Sequence, residues 1–458
     1  MSVKHRRTWL SAAAALSAVS LALTACGGGG TTEGGAKDST EPAASGETSA
    51  AEADPKAAGE AIEIDFMHRF PDGEGMTPVA DTVARWNEEN PDIKVTSTKF
   101  DGEAPEMVPR LEADFKAGNA PCVAFTGYGE VPELFVKGML EDVTAEAEKY
   151  KGNYSEGAFN LMSAGGIVTG LPTDVGPLVF FYDEAQLKEL GIEVPTDLAS
   201  FQEAAKKAKE QDKYLSAFTP DEALYWLSSQ AAAAGDQWFT AEGDQWVVNT
   251  GGEGTQRVAE FWQTMLDEET TLVEQRWGDG FTKAIVDGKL IGHIGAAWEA
   301  GFLLDPLDDT DREGTWRVAQ LPDYGAGAIT GPDGGSGLSV MKGCEHPAEA
   351  VKFIDWFNNQ TEDLATQGTL TATTQVVETP EKMLRQFGGQ DVLAEMQTAS
   401  QNLAVEFAYI PGFSTLATMN QVADEATTGK KKVADIFTTA NDSAVQTLKD
   451  LKLSVKES

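Results

Sequence analysis

Residues 171–195 read LPTDVGPLVFFYDEAQLKELGIEVP. Pro172, Gly176 and Pro177 cannot share one continuous regular element, so the stretch opens on a bend that presents Asp174 between them. Leu178, Val179, Phe180, Phe181 and Tyr182 then form a short unbroken apolar run, the signature of a strand covered on both faces. The period changes after it: Leu187 and Leu190 are helically spaced and Gly191 stops the helix. Taken alone, the stretch is read most simply as an ordinary junction of an α/β layer with an aspartate on a surface turn.

Upstream, Ile62, Ile64, Phe66 and Phe70 alternate with polar positions, a strand ending in His68-Arg69-Phe70-Pro71. A helix over 76–90 places Val79, Val83 and Trp86 on one face and stops at Asn90-Pro91. Ile93 and Val95 mark a strand, Met107, Leu111 and Phe115 a helix closed by Gly118, and 121–125 a third strand. This alternation predicts a parallel sheet with helices on its faces. Tyr128-Gly129-Glu130 and His68-Arg69 follow directly after strands, where ligands collect in open α/β sheets.

Downstream, helices are expected over 198–211 and 221–234, the second carrying Tyr225 and Trp226. A strand or hairpin over 244–249 precedes an amphipathic helix over 255–266 with Val258, Phe261, Trp262 and Met265 as its core face. A short helix over 281–287 leads to a strand over 290–297 that runs into Trp298-Glu299. Strands over 315–321 and 337–341 flank the glycine-rich turn GAGAITGPDGGSG, and Pro347 opens a helix. The rest is helical, so the coarse picture is two α/β regions with a helical C-terminal region.

The chain begins with Lys4, Arg6 and Arg7, then an apolar run over 10–23, then Leu23-Thr24-Ala25-Cys26. This is a secretory signal that resembles the bacterial lipobox, which implies loss of 1–25 and a lipid on Cys26; the plainer alternative is a signal peptide with a stray cysteine. Residues 26–59 hold almost no large apolar side chain, and they read as a flexible tether. A lipid on an otherwise water-borne body holds it at the outer face of the cell membrane, without embedding it. The 35 basic and 73 acidic residues give a formal charge of −38, and loss of Lys4, Arg6 and Arg7 would deepen it. Nucleic acid is therefore not an expected partner, and such charge suits a monomer. Cys122 and Cys344 are left as an even pair in an oxidising setting, either bridged or separately buried.

His68, His293 and His346 lie far apart, with no partner at metal-ligand spacing, so no metal site is expected. The chain has no GxSxG, HExxH, phosphate-binding loop or GxGxxG motif, and no cofactor is expected. Among so many carboxylates a glycosidase pair could hide, which keeps a surface glycoside hydrolase as the alternative to a binding protein.

Several blocks in order, FMHRF with WNEENPDIKV, AGNAPCVAFTGYGEVPELFVKGMLEDVT, GLPTDVGPLVFFYDEAQLKELGIEVPTDL, DGKLIGHIGAAWEAG and GGSGLSVMKGCEHPAEAVKFIDWF, resemble the extracellular solute-binding proteins of carbohydrate ABC transporters, the maltose-binding-protein-like family. The resemblance covers nearly all of the body after the tether. It implies an α/β, two-lobe, type II periplasmic-binding-protein-like fold that binds a sugar between its lobes, and no enzyme. Chain crossings are expected near 171–174, near 321–323 and after Phe357. The N-lobe would then be 60–173 with 323–359, and the C-lobe 174–322 with 360–458. Partners would be a carbohydrate and the permease subunits of an ABC importer, with the same fold on a non-sugar solute as a further alternative. Ala296-Ala297-Trp298-Glu299 and Cys122 depart from common family patterns, which bears on the identity of the sugar.

Sugars offer apolar CH faces and a rim of hydroxyls, so a site needs flat aromatics together with carboxylates and amides. The resemblance makes Trp298 the stacking platform and Asp174 the hydroxyl acceptor, followed by Tyr128 and Glu130. Gly335 and Ser336 would line the cleft from the glycine-rich turn, His68 and Arg69 from the first strand, with Glu299, Trp226, Trp277, Phe413 and Thr415 as further candidates. Trp86, Trp262 and Trp356 lie on helical apolar faces and are assigned to the core. In such folds the strand after the second crossing runs antiparallel beside the third, which implies a Cys122–Cys344 disulfide.

Overall fold

The computed structural model describes residues 61–73, 75–102, 106–242, 245–404 and 406–456. The expected signal, tether and Cys26 lie outside them. Five strands form one sheet in the order Ile93–Lys99, Ile62–His68, Val123–Gly127, Ser336–Val340, Gly170–Asp174. The first three are parallel, joined by helices Val79–Glu89 and Met107–Ala117, and Ser336–Val340 runs antiparallel to both of its neighbours. Met107–Ala117 ends on Gly118 at φ 73°, the left-handed stop that a glycine supplies without strain. The apolar stripe of Val79–Glu89 sets Trp86 edge-on to Phe353 of helix Pro347–Asn358, ring centroids 5.4 Å apart.

A second sheet has Leu178–Asp183 at its centre, paired antiparallel with Gly292–Ala296 and Trp316–Gln320. The run Leu178 to Phe181 is wholly buried, as its unbroken apolar character requires. Pro172 departs from the expected bend: it sits inside strand Gly170–Asp174, tolerated because that strand is at the sheet edge. The bend itself is Val175-Gly176-Pro177.

Three passages between the sheets run side by side. Asp333 donates its N–H to the Gly176 carbonyl (2.7 Å), and Leu178 to that of Gly331 (3.1 Å). Val175 donates to Leu370 (2.9 Å) and Ala372 to Thr173 (2.9 Å). The second passage therefore falls at 331–335, later than the expected 321–323. Asp323 is still tied to Thr196 (2.9 Å), and Tyr324 is buried with its hydroxyl on Gln230 Oε1 (2.8 Å). The third passage also comes later than expected, because helix Thr361–Thr366 stays with the first sheet: Asp363 accepts from Thr82 Oγ1 (2.8 Å) and pairs with Arg85. Beyond it, helix Val392–Gln401 packs on strand Trp316–Gln320, where Gln320 Nε2 donates to the Glu395 carbonyl (2.9 Å). Helix Val433–Asp450 packs on helix Glu253–Asp267, with Val433 donating to Gln263 (3.0 Å).

The antiparallel register Val340↔Val123 brings Cys122 and Cys344 to a Cα separation of 4.6 Å, and they are joined as a disulfide.

Candidate functional site

Asp174 ends its strand opposite Ser336, whose hydroxyl donates to the carboxylate. Burial pushes the Asp174 carboxyl up to about 6, against the pull of the Ser336 hydrogen bond and of Arg69. Tyr128, buried directly after strand Val123–Gly127, donates its hydroxyl to the Asp174 carbonyl (2.8 Å), and its N–H bonds the Gly335 carbonyl (3.1 Å). Gly335 is required here: its φ is 90°, and a Cβ would stand 2.7 Å from the Tyr128 ring. Asp174, Tyr128, Gly335 and Ser336 thus form one hydrogen-bonded corner.

Glu130 closes the next turn. Its carboxylate receives Arg69 Nη1 (2.8 Å) and the Gly127 N–H (2.8 Å), while the Arg69 guanidinium lies 4.8 Å from the Phe125 ring centre. His68 was expected to line the cleft, but it is 2% exposed and packed between the rings of Phe66 and Phe70. Burial lowers it to about 4, so near neutral pH it is an uncharged packing residue.

From the second sheet, strand Gly292–Ala296 runs into a 3₁₀ turn that carries Trp298, whose Nε1 donates to the Asp333 carbonyl (2.9 Å). Trp277 lies parallel to it, centroids 6.2 Å apart and planes within 8°, and Phe302 completes the aromatic group at 6.0 Å from Trp298. Trp277 is 58% exposed, the most exposed aromatic ring among the described large hydrophobics. Glu299 points inward: it receives Arg276 Nε (2.6 Å), His293 Nε2 (3.2 Å) and the Ala296 N–H (3.0 Å). Burial favours its neutral form, yet Arg276 and His293 outweigh that and hold it down at about 2. Its role is to brace the turn below Trp298, not to present a free carboxylate.

Two acids absent from the expected set stand beside these rings. Asp333, in the glycine-rich turn, is 5% exposed and pushed well up by burial and by Glu222 and Glu299. Glu222 accepts the Trp277 indole N–H and is pushed up to about 7, chiefly by burial. Tyr225 and Tyr409 were missed as well. Together with Phe413 they make an aromatic group at Gly129, with Tyr225–Phe413 at 5.3 Å and Tyr409–Phe413 at 4.8 Å. Phe413 is fully buried there. Trp226 is not at the cleft: it is 2% exposed, tilted on Trp262 at 4.7 Å, and donates to the Ile294 carbonyl (2.8 Å). Thr415 is exposed and bonded to the Gly412 carbonyl (2.8 Å).

The sequence model of the family described as bacterial extracellular solute-binding protein matches residues 81–385. The arabinooligosaccharide-binding protein of Halalkalibacterium halodurans is 24% identical over 297 residues, which cover 62% of this chain and 64% of that protein, so the match spans under two thirds of the curated relative's length. Among solved structures, the galacto-N-biose-/lacto-N-biose I-binding protein of an ABC transporter from Bifidobacterium longum, in complex with lacto-N-biose, is 46% identical with a TM-score of 0.83, covering 87% of this chain and 99% of that one. A binding protein from B. animalis subsp. lactis in complex with β-1,6-galactobiose shares the fold at a TM-score of 0.71 and 22% identity, covering 87% of this chain and 100% of that chain. The fold is that of type II periplasmic sugar-binding proteins. This chain belongs to the bacterial extracellular solute-binding protein family.

Proposed function

We propose that this chain captures a short neutral saccharide between its two sheets and delivers it to the permease of an ABC importer. The observation that carries the reading is the parallel Trp277–Trp298 pair, with Glu222 and Asp333 bonded to its two indoles and the Asp174–Gly176 bend against Trp298. Flat rings suit the CH faces of a sugar. Carboxyls pushed up by burial can donate as well as accept, which matches hydroxyls and disfavours anionic solutes. The 46% identical relative, in complex with lacto-N-biose, supports galacto-N-biose and lacto-N-biose I as the first ligands to try.

In this reading the passages near 174–177, 331–335 and 370–372 are the hinge, and a lipid on Cys26 holds the monomer at the membrane. Release of a Cys26→Ser variant from the membrane fraction is the expected sign of that anchor, and retention would overturn it. Calorimetric titration with lacto-N-biose, galacto-N-biose, β-1,6-galactobiose and maltose is expected to give saturable binding to at least one. Trp298→Ala is expected to weaken it by about thirtyfold or more, the scale of a central aromatic contact. Binding to none of the sugars but to a non-sugar solute would overturn the reading. Chromatography after long incubation separates it from a glycoside hydrolase, which would turn the sugar over.

A further inference from the structure

Trp277 is the exposed half of the aromatic pair, and a half-buried acidic turn grips it. In the 3₁₀ turn Pro220–Glu222, the Asp221 carboxylate accepts the backbone N–H of Arg276 (2.8 Å) and of Trp277 (3.2 Å), while the Glu222 carboxylate accepts the indole Nε1–H. Asp221 thus fixes the backbone and Glu222 the ring. The ring also meets the Arg276 guanidinium, 4.8 Å from its centre, and Phe302 at 5.9 Å, and the indole hydrogen bond adds the directional constraint that fixes its rotation within that stack.

We propose that Glu222 is the positioning residue of the aromatic platform: by accepting the Trp277 indole N–H it sets that ring parallel to Trp298 and thereby sets affinity for the ligand laid on the pair. The inference rests on the saccharide-binding reading above. The charged and titratable groups facing Glu222 are Asp221 beside it, Arg276 next to Trp277, Glu299 in the turn below Trp298, and Asp333 in the glycine-rich turn. Burial, with Glu299 and Asp221, opposes the ionised form, and the Trp277 N–H and Arg276 favour it, which puts the Glu222 carboxyl at about 7. An ionised carboxylate holds the indole N–H more strongly than a carboxylic acid does. The grip therefore tightens as pH rises through this range and slackens below it.

The test has two arms on the full-length protein. Tryptophan fluorescence without ligand is followed from pH 5.5 to 8.5 in wild type, Glu222→Gln and Trp277→Phe. A step centred near pH 7 is expected in wild type and absent from both variants. Titration of lacto-N-biose over the same range is expected to give a wild-type affinity that falls about three- to tenfold toward pH 5.5, as a charge-assisted hydrogen bond becomes a neutral one. Glu222→Gln, whose amide oxygen still accepts the indole, is expected to bind with little pH dependence, and Glu222→Ala to bind more weakly at every pH. A fluorescence step that survives in Glu222→Gln overturns the proposal. Because that arm needs no sugar, failure to bind any of the four sugars overturns the ligand reading and leaves the positioning role to the fluorescence result.

Discussion

The buried carboxyls of the site respond to pH in opposite directions. Glu299 sits at about 2 in the fold against an ordinary value of 4.5, so its contribution to stability is present above 4.5 and is lost as pH falls toward 2. Asp174 at about 6 and Glu222 at about 7 lie above ordinary values of 3.8 and 4.5, so their contributions are complete below those values and lost as pH rises through 6 and 7. The ligand-free protein is accordingly expected to have its highest melting temperature near pH 4.5 and to lose stability from there toward pH 7. Calorimetric scans from pH 3 to 8 check this, with a shallower decline between pH 4.5 and 7 in Glu222→Gln. A melting temperature that climbs steadily to pH 8 contradicts it. The sequence set Asp174 and Trp298 each at a break beside an apolar strand, and the resemblance, not the pattern, proposed them for the cleft; the fold puts both next to the passages between the sheets. Glu222 and Asp333 were not legible in the sequence: one is among 73 acidic residues, and the other lies in a glycine-rich turn that suggests only backbone donors. Trp226 misled because helix Ala223–Ala233 is buried on nearly every face, so no polar side marks its tryptophan as core.

At the scale of elements, periodicity gave the strands and helices close to their observed bounds, and the passages between sheets were what it missed. Leu321-Pro322-Asp323 has the punctuation of a crossing, yet the hydrogen bonds that keep Asp323 to Thr330 with the second sheet run to Thr196, Gln230 and Leu178, far away in sequence. Local pattern carries no record of such partners. Strand Ser336–Val340 has the same dependence on distant partners, and the Cys122–Cys344 bond spans 222 residues to secure it beside Val123–Gly127. Cross-linking a loop of that length restricts the unfolded chain strongly, so Cys122→Ser with Cys344→Ser is expected to lower unfolding stability by about 2–4 kcal/mol. The bond lies at the amino-terminal end of the strand, opposite to Tyr128, so sugar affinity is expected to stay within about twofold, since the site's own contacts are untouched. Denaturant titration alongside calorimetry checks both, and a large loss of affinity at unchanged stability would contradict the separation.

For the whole molecule, the contact between the two sheets' outer elements bears on closure. Gly129, after the third strand of the first sheet, faces Tyr225, Tyr409 and Phe413, and a Cβ there would stand 3.1 Å from the Tyr225 hydroxyl and 3.4 Å from the Tyr409 ring. Ser414 adds a hydrogen bond to Glu133 (3.2 Å) nearby. A Cβ here is already tight against both tyrosines, so a larger side chain presses these surfaces apart, and an interface so packed is felt as open or closed rather than deformed by degrees. If ligand capture needs the meeting of these surfaces, Gly129→Leu acts as a wedge. Its Cβ would meet Tyr225, Tyr409 and Phe413 first, and the variant is expected to reduce sugar affinity by about tenfold or more, because the closed state that holds the ligand becomes less populated. Small-angle scattering with saturating sugar is expected to show wild type contracting on binding and the variant remaining expanded, with its melting temperature without sugar little changed. Wild-type affinity and contraction in Gly129→Leu would mean that the aromatic group at Gly129 parts without cost, and closure would then have to be sought at the 174–177, 331–335 and 370–372 passages alone.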